Sequence, residues 1–416
     1  MSKRISIRLL GRILASVVVL LALVGLTMLT IRNGNAYAGE PGRTHRGFSG
    51  TGGPTPTPTV FGCPASTMRW SIVPGAALSS NDNVSNGLTA ISSTDIWAVG
   101  SGTDPNTFDS EAVLEHWNGS AWSGVAVPSD PKGGVSLQGA YAINTSDVWA
   151  VGSNTDSPET EHWNGSSWAI FPQPASVIGT FATLNSVAGV ASNDVWAVGV
   201  VPTGTEKPVI EHWNGSAWSV VAPADSSLAG GLTGVIALAS NNVWAVGYTF
   251  NSTTNQTLVL HWDGSSWTQV ASPDTSSTDS NILFGISASS PTDIWAVGTV
   301  ETTSNEEALT MHWNGTAWTI VPTLQLPGFG GGFHGVSAVA ANNVWAVGYD
   351  YSTFTPLVAH WNGSAWLVGS GQGSGDLLGV VALSNGTAWA VGQSAGTLPL
   401  IERYPTLMRT THCSNP

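Results

Sequence analysis

The chain has 416 residues, with 12 Lys and Arg against 26 Asp and Glu, a formal net charge of −14, and only two cysteines. So acidic a chain has no basic surface for phosphates, which excludes nucleic acid and anionic lipid as partners of the folded part. A chain this long can bury a large core, but beyond the size of an ordinary single-core domain it points to a repeat architecture.

Residues 1–38 read as a targeting segment. Lys3, Arg4, Arg8 and Arg12 precede an apolar run from Ile13 to Ile31, and Ala36-Tyr37-Ala38 supplies a small-residue cleavage site. This is the pattern of a secretory signal peptide cut after Ala38; left uncut, the run is long enough to be an N-terminal membrane anchor. Both outcomes put the rest of the chain outside the cytoplasm, secreted or at the cell surface, with any membrane contact made through this segment. Its removal takes 5 of the 12 basic residues and none of the 26 acids, so the exported part carries 7 − 26 = −19. Residues 39–62 are a linker, Gly-rich and then Thr-Pro-Thr-Pro-Thr, which favours extended polyproline II.

From residue 63 onward a unit repeats seven times. Its first mark is Trp-Ala-Val-Gly, with tryptophans at 97, 149, 196, 244, 295, 345 and 389, spaced 52, 47, 48, 51, 50 and 44 residues apart. That period belongs to four-stranded propeller blades. Each unit holds four short β-branched and aromatic runs, here called strands a to d. Strand a is the Gly-Val-Ile-Ala-Leu type and strand b is Val-Trp-Ala-Val-Gly. Strand c ends at His-Trp, and strand d starts at the Trp five residues further on. The Asn-Gly between c and d is a strong hairpin signal, both residues tolerating positive φ.

The seventh unit has strands a, b and c but no Asn-Gly-Ser-Ala-Trp. The missing strand d stands at the other end, where Met68-Arg69-Trp70-Ser71-Ile72-Val73-Pro74 matches Ala217-Trp218-Ser219-Val220-Val221-Ala222-Pro223. Glu402-Arg403-Tyr404 occupies the place of Glu-His-Trp. The expected fold class is therefore all-β: a seven-bladed β-propeller over residues 63–416, its last blade closed by the N-terminal strand, with no free sheet edge. Cys63 and Cys413 overhang the same end of that mixed blade, and in an exported protein they are expected to form a disulfide across the seam.

Trp-Ala-Val-Gly followed by Trp-Asn-Gly-Ser-Ala-Trp resembles the seven-bladed propellers of the kelch and BNR (Asp-box) kind. It is closest to photosystem assembly-factor-like and sialidase-like repeats. The units have one Gly after strand b where kelch units have two, and mostly Asn without the preceding Ser where an Asp-box has Asp. The resemblance implies the architecture and no active site.

Six histidines, His116, His162, His212, His261, His312 and His360, end strand c of successive blades. Adjacent sheets lie about 10 Å apart, against about 2 Å for a Zn–N bond, so no ion can gather two of them. They are expected to hydrogen-bond between blades, with no metal and no cofactor implied. Asp95, Asp147, Asp194 and Asp293 alternate with Asn242 and Asn343 in the a–b turns, so charge is not required there and turn capping is expected. Asn118, Asn164, Asn214, Asn314 and Asn362 lie in glycosylation sequons that the hairpin turn already explains.

The seven strand a segments are read as carrying no Asp or Glu, so paired-carboxylate hydrolysis has no acids near the channel. The arginines needed for a sialidase-like site are missing from strand a, and no G-x-S-x-G, H-E-x-x-H or phosphate loop occurs. The chain is therefore not expected to be an enzyme.

The a–b and c–d turns repeat almost unchanged on one face, and the b–c and d–a loops vary on the other. Function on a rigid scaffold belongs on the variable loops. Among them stand Phe329, Tyr349, Tyr351 and Phe354. One varying position rims the channel, just ahead of the strand a glycine: Asn86, Gln138, Asn185, Thr233, Phe284, His334 and Leu378. Asn86, Gln138, Asn185, Thr233 and His334 are the candidate ligand-binding residues, polar groups converging as at a small neutral ligand such as a sugar. The expected function is non-catalytic binding of a glycan or a protein by a monomer. The alternatives are an assembly or scaffolding factor and a polysaccharide hydrolase or lyase.

Overall fold

A computed structural model describes residues 69–404, apart from 77, 79, 203, 251–253, 304, 324–329 and 395–398. The targeting segment, the linker, Phe329 and the Cys63–Cys413 pairing lie outside the described residues. The folded unit comprises seven four-stranded antiparallel sheets, each in the order a-b-c-d. In the third blade these are Thr183–Ala191, Asp194–Val201, Lys207–Trp213 and Trp218–Val220. Each strand a touches strand a of the next blade, and the seventh touches the first, so the blades form a closed ring around the inner strands.

The seventh sheet consists of Gly375–Ala382, Ala388–Ser394, Pro399–Tyr404 and, from the N-terminal end, Ser71–Ile72. Ser71 pairs with Arg403 and Ile72 with Glu402, and the Val73 amide donates to the Ile401 carbonyl at 2.9 Å. The N-terminal strand therefore closes the ring.

Register explains the tryptophans. The strand b Trp lies directly opposite the strand c His, for instance Trp196 opposite His212. Opposed residues in an antiparallel pair project to the same side, and the two ring centroids lie 4.2–4.5 Å apart in blades 1 to 6. The strand c and d tryptophans are opposed in the same way, as Trp117 and Trp122 are. Every strand b Trp then packs against the next blade's strand c aromatic at 4.6–5.3 Å. It meets the next strand d Trp edge-on at 5.3–6.0 Å. Each edge-to-face pair contributes about 1 kcal/mol beyond its burial. At the seam Trp345 meets Tyr404 and Trp70 in these two roles, and Arg403 lies over Trp389 at 5.3 Å in place of the histidine.

The inner strands are joined by side chains. The Thr89 hydroxyl accepts from the Ala142 amide at 3.0 Å, Ser186 from Val235 at 3.2 Å, Ser287 from Ala338 at 2.9 Å and Ser337 from Ala382 at 2.9 Å. They come so close that a Cβ on Gly87 would stand 2.9 Å from the Gln138 carbonyl oxygen.

Candidate functional site

The repetitive face is built for rigidity, by a different device from the one expected. The c–d connection is a four-residue loop, since Trp117 already pairs with Trp122 and only the glycine has positive φ, 95° at Gly119. The Asn118 Oδ1 accepts from the Ser120 and Ala121 amides at 3.0 and 3.1 Å and from the Ser120 hydroxyl at 2.7 Å. Asp263 does the same in blade 4 at 2.8, 2.9 and 2.7 Å. The asparagine is a side-chain cap, which is why Asp replaces it.

The histidines bond within their own blade, not between blades. Nε2 of His116, His162, His212 and His312 lies 2.7–2.9 Å from Asp95, Asp147, Asp194 and Asp293. In blades 4 and 6 His261 meets Asn242 at 2.9 Å and His360 meets Asn343 at 3.0 Å. Strand register puts the residue that opens strand b beside the end of strand c, so the partner is intrablade. The same oxygen accepts from an indole in four blades, for example Trp244 Nε1 to Asn242 Oδ1 at 2.8 Å.

On the variable face, all seven rim residues are β-bulges. In every blade the a–b register slips by one at this position, between Ser85 and Gly87, Leu137 and Gly139, and so on to Leu377 and Gly379. A bulge re-aims one side chain. Several candidates use that freedom to hold the next blade: Asn86 Nδ2 donates to the Leu137 carbonyl at 2.8 Å and Asn185 Nδ2 to Leu232 at 2.7 Å. Thr233 Oγ1 donates to Leu283 at 2.7 Å. Gln138 donates to the hydroxyl of Ser136 at 3.0 Å. Three of the seven rim residues thus clasp the next blade.

His334 is placed differently. Its ring meets Phe284 edge-on at 5.1 Å and Tyr349 at 5.6 Å, and its Nδ1 lies 3.4 Å from Asp376 Oδ2. The ring centroids of Tyr349 and Tyr351 lie 3.9 Å apart, and burial together with the nearby Glu306 carboxylate raises the Tyr351 pKa. Burial pulls the His334 pKa down, but Asp376 and Glu306 outweigh it and the net shift is upward. Asp376 corrects the sequence expectation: strand a of blade 7 starts at Gly375, so an acid does lie on an inner strand. Alternating apolar residues mark the core of a strand and not how far its ladder runs on.

A second set of acids escaped the sequence reading. Glu115, Glu161, Glu211 and Glu402 each stand just before the strand c His or Arg and are fully buried. Six residues after the preceding strand d Trp, the Ala76 amide donates to Glu115 at 2.6 Å and the Gln372 amide to Glu402 at 2.8 Å. In blades 2 and 3 that sixth residue is Pro128 and Pro174, which have no N–H. Glu161 and Glu211 accordingly find no partner among the described residues. Burial raises all four pKa values. It takes Glu402 to about 7 against the Gln372 amide, and Glu211 to about 8. Glu161 also reaches about 8, with Glu159 and Asp130 adding to the effect of burial. The only hint in the sequence was Glu-His-Trp in some blades against Leu-, Met- or Ala-His-Trp in others.

Among the described residues, the non-glycine positions with positive φ are Phe108 (60°), Phe181 (59°) and Phe354 (54°). They are 80%, 64% and 71% exposed. All three lie on variable-face loops, and Phe250, also exposed, ends a strand b on that face.

No family model and no curated protein matches the chain. Solved structures do. YCF48 bound to D1 peptide is 15% identical, with 81% of this chain and 96% of that one covered and a TM-score of 0.54. YCF48 from Cyanidioschyzon merolae is 15% identical, with 81% and 98% covered and a TM-score of 0.52. The WD40 β-propeller domain of Doa1 is 11% identical, with 80% and 96% covered and a TM-score of 0.52. What they share with this chain is the propeller fold.

Proposed function

We propose that the protein is a non-catalytic binding module of the cell exterior, secreted or surface-held, which recognises a glycan through its variable face. The three left-handed phenylalanines carry this reading. A non-glycine residue in that conformation costs about 1 kcal/mol or more, and each of these also leaves an aromatic ring in water. Two costs falling together on three residues of one face are accounted for if the rings stack on a ligand. Kinship with kelch or Asp-box repeats is part of the proposal and rests on the repeat motif. The test is a glycan array probed with wild type and with the Phe108→Ala, Phe181→Ala, Phe354→Ala triple variant. Capture by wild type, lost in the variant with an unchanged melting temperature, supports the reading; equal capture by both overturns it.

A second reading has one observation in its favour. The His334 Nδ1 lies 3.4 Å from Asp376 Oδ2, and a histidine beside a carboxylate is a pair that can move protons, as a polysaccharide hydrolase or lyase requires. Turnover of a polysaccharide panel, abolished by His334→Ala, would establish it.

A further inference from the structure

Two of the strained phenylalanines are copies of one loop. Between strands b and c, blade 1 reads Asp104-Pro-Asn-Thr-Phe108 and blade 6 reads Asp350-Tyr-Ser-Thr-Phe354. In both, the Asp is the last residue facing strand c: the Asp104 amide donates to the Asp109 carbonyl at 3.0 Å, and Asp350 pairs with Thr355. In both, its carboxylate holds the turn. Asp104 Oδ1 accepts from the Asn106 and Thr107 amides at 2.7 and 3.2 Å. Asp350 Oδ1 accepts from the Ser352 amide and hydroxyl, each at 2.7 Å. In both, the Phe amide donates to the Asp carbonyl, at 2.9 and 2.8 Å, and the Phe is left-handed with its ring exposed. Glycine or asparagine would take that conformation with less strain. The fold therefore does not ask for an aromatic here, yet two blades supply one. Phe181 belongs to another kind of loop, its amide donating across to the Asp156 carbonyl at 2.8 Å.

A cleft adjoins the first copy. Thr107 and Asp109, on either side of Phe108, line an open hollow of about 640 Å³ together with Asp104, Glu111, Val127 and Asp130. Sites for small ligands measure roughly 300–1,000 Å³. Its acids disfavour uronic acids and sulfated sugars and leave neutral ones, whose hydroxyls donate to carboxylates and whose apolar faces suit an exposed ring. In the ring of blades, strand a of blade 7 touches strand a of blades 6 and 1, so the two copies flank one blade. Packed sheets lie about 10 Å apart, which sets the copies roughly 20 Å or more apart, too far for one sugar to touch both.

We propose that Phe108 and Phe354 are two equivalent subsites for a neutral polysaccharide, occupied together by one chain of repeating sugars. The proposal rests on the glycan-binding reading and narrows its ligand to a neutral polymer. Calorimetry on the full chain would compare a mannan, a galactan, a xylan and a laminarin with their trisaccharides and with polygalacturonate. Joining two contacts on one rigid ring should make at least one neutral polymer bind roughly a hundredfold more tightly than its trisaccharide. Phe108→Gly and Phe354→Gly should each weaken that polymer at least roughly tenfold, with the trisaccharide's affinity kept within roughly twofold. Because glycine relieves the left-handed strain, both variants should melt no lower than wild type, which separates lost binding from lost folding. A trisaccharide bound as tightly as its polymer, polymer binding indifferent to either substitution, tighter binding of polygalacturonate, or no binding of any neutral polymer overturns the proposal. If a glycan array shows capture that is lost with all three phenylalanines while the single glycine variants bind polymer as wild type does, this inference fails and the wider reading stands; if no glycan is captured, the wider reading fails as well.

Discussion

At the scale of single residues, the buried glutamates make the protein's stability depend on pH in an unusual direction. Glu161 and Glu211 have folded pKa values of about 8, raised from an ordinary 4.5. The folded state therefore holds a proton that the unfolded state releases first. Their contribution is complete below about pH 4.5 and is lost as pH rises through about 8. Glu161→Gln and Glu211→Gln should leave the melting temperature near pH 5 almost unchanged. Each should raise stability near pH 9 by on the order of 1–3 kcal/mol, discounted from the full shift. Scanning calorimetry across pH checks this. Pro128→Ala should act in the same direction, by giving Glu161 the amide that Glu402 takes from Gln372. The His–Asp contacts give a second expectation. Asn242 and Asn343 already do the work of Asp194, so Asp194→Asn should change stability by less than about 0.5 kcal/mol. Asp194→Ala, which strands His212 and an indole N–H, should cost roughly 1–3 kcal/mol; urea titration of the two variants separates the cases. That Asn and Asp interchange was legible in the sequence, but their partner was not, because it depends on where strand c ends against strand b.

Among the elements, the seam was the most legible. Trp70 matched the strand d tryptophans by its flanking residues alone, and it packs where they do, against Trp345 and Tyr404. Trp70→Ala should remove the closing contact and cost about 3–5 kcal/mol, with the chevron or the equilibrium urea midpoint as the measurement. Strand number, order and the repetitive turns could be read from the repeats because each blade buries the same aromatic set. The bulges could not: a bulge inserts a residue without altering the apolar pattern on either side, so the rim residues looked like free ligand groups. Asn86, Asn185 and Thr233 instead bond to the neighbouring backbone. The left-handed conformation of Phe108 was equally hidden, since nothing in the residue type favours it.

For the whole molecule, the ring separates two jobs. One face repeats, with each cap and each His contact serving the scaffold. The other varies, and it carries the strained phenylalanines and the His334–Asp376 pair. An acidic chain lacking Lys and Arg from residue 208 to 402 suits neutral or cationic ligands on that face. The most direct test of this division is a glycan array run with three proteins: wild type, the triple phenylalanine variant, and a control with Ser120, Ser166 and Ser216 on the repetitive face changed to Ala. Capture by wild type and the control but not by the phenylalanine variant is the predicted result. Capture that survives loss of the phenylalanines and disappears in the control would contradict it.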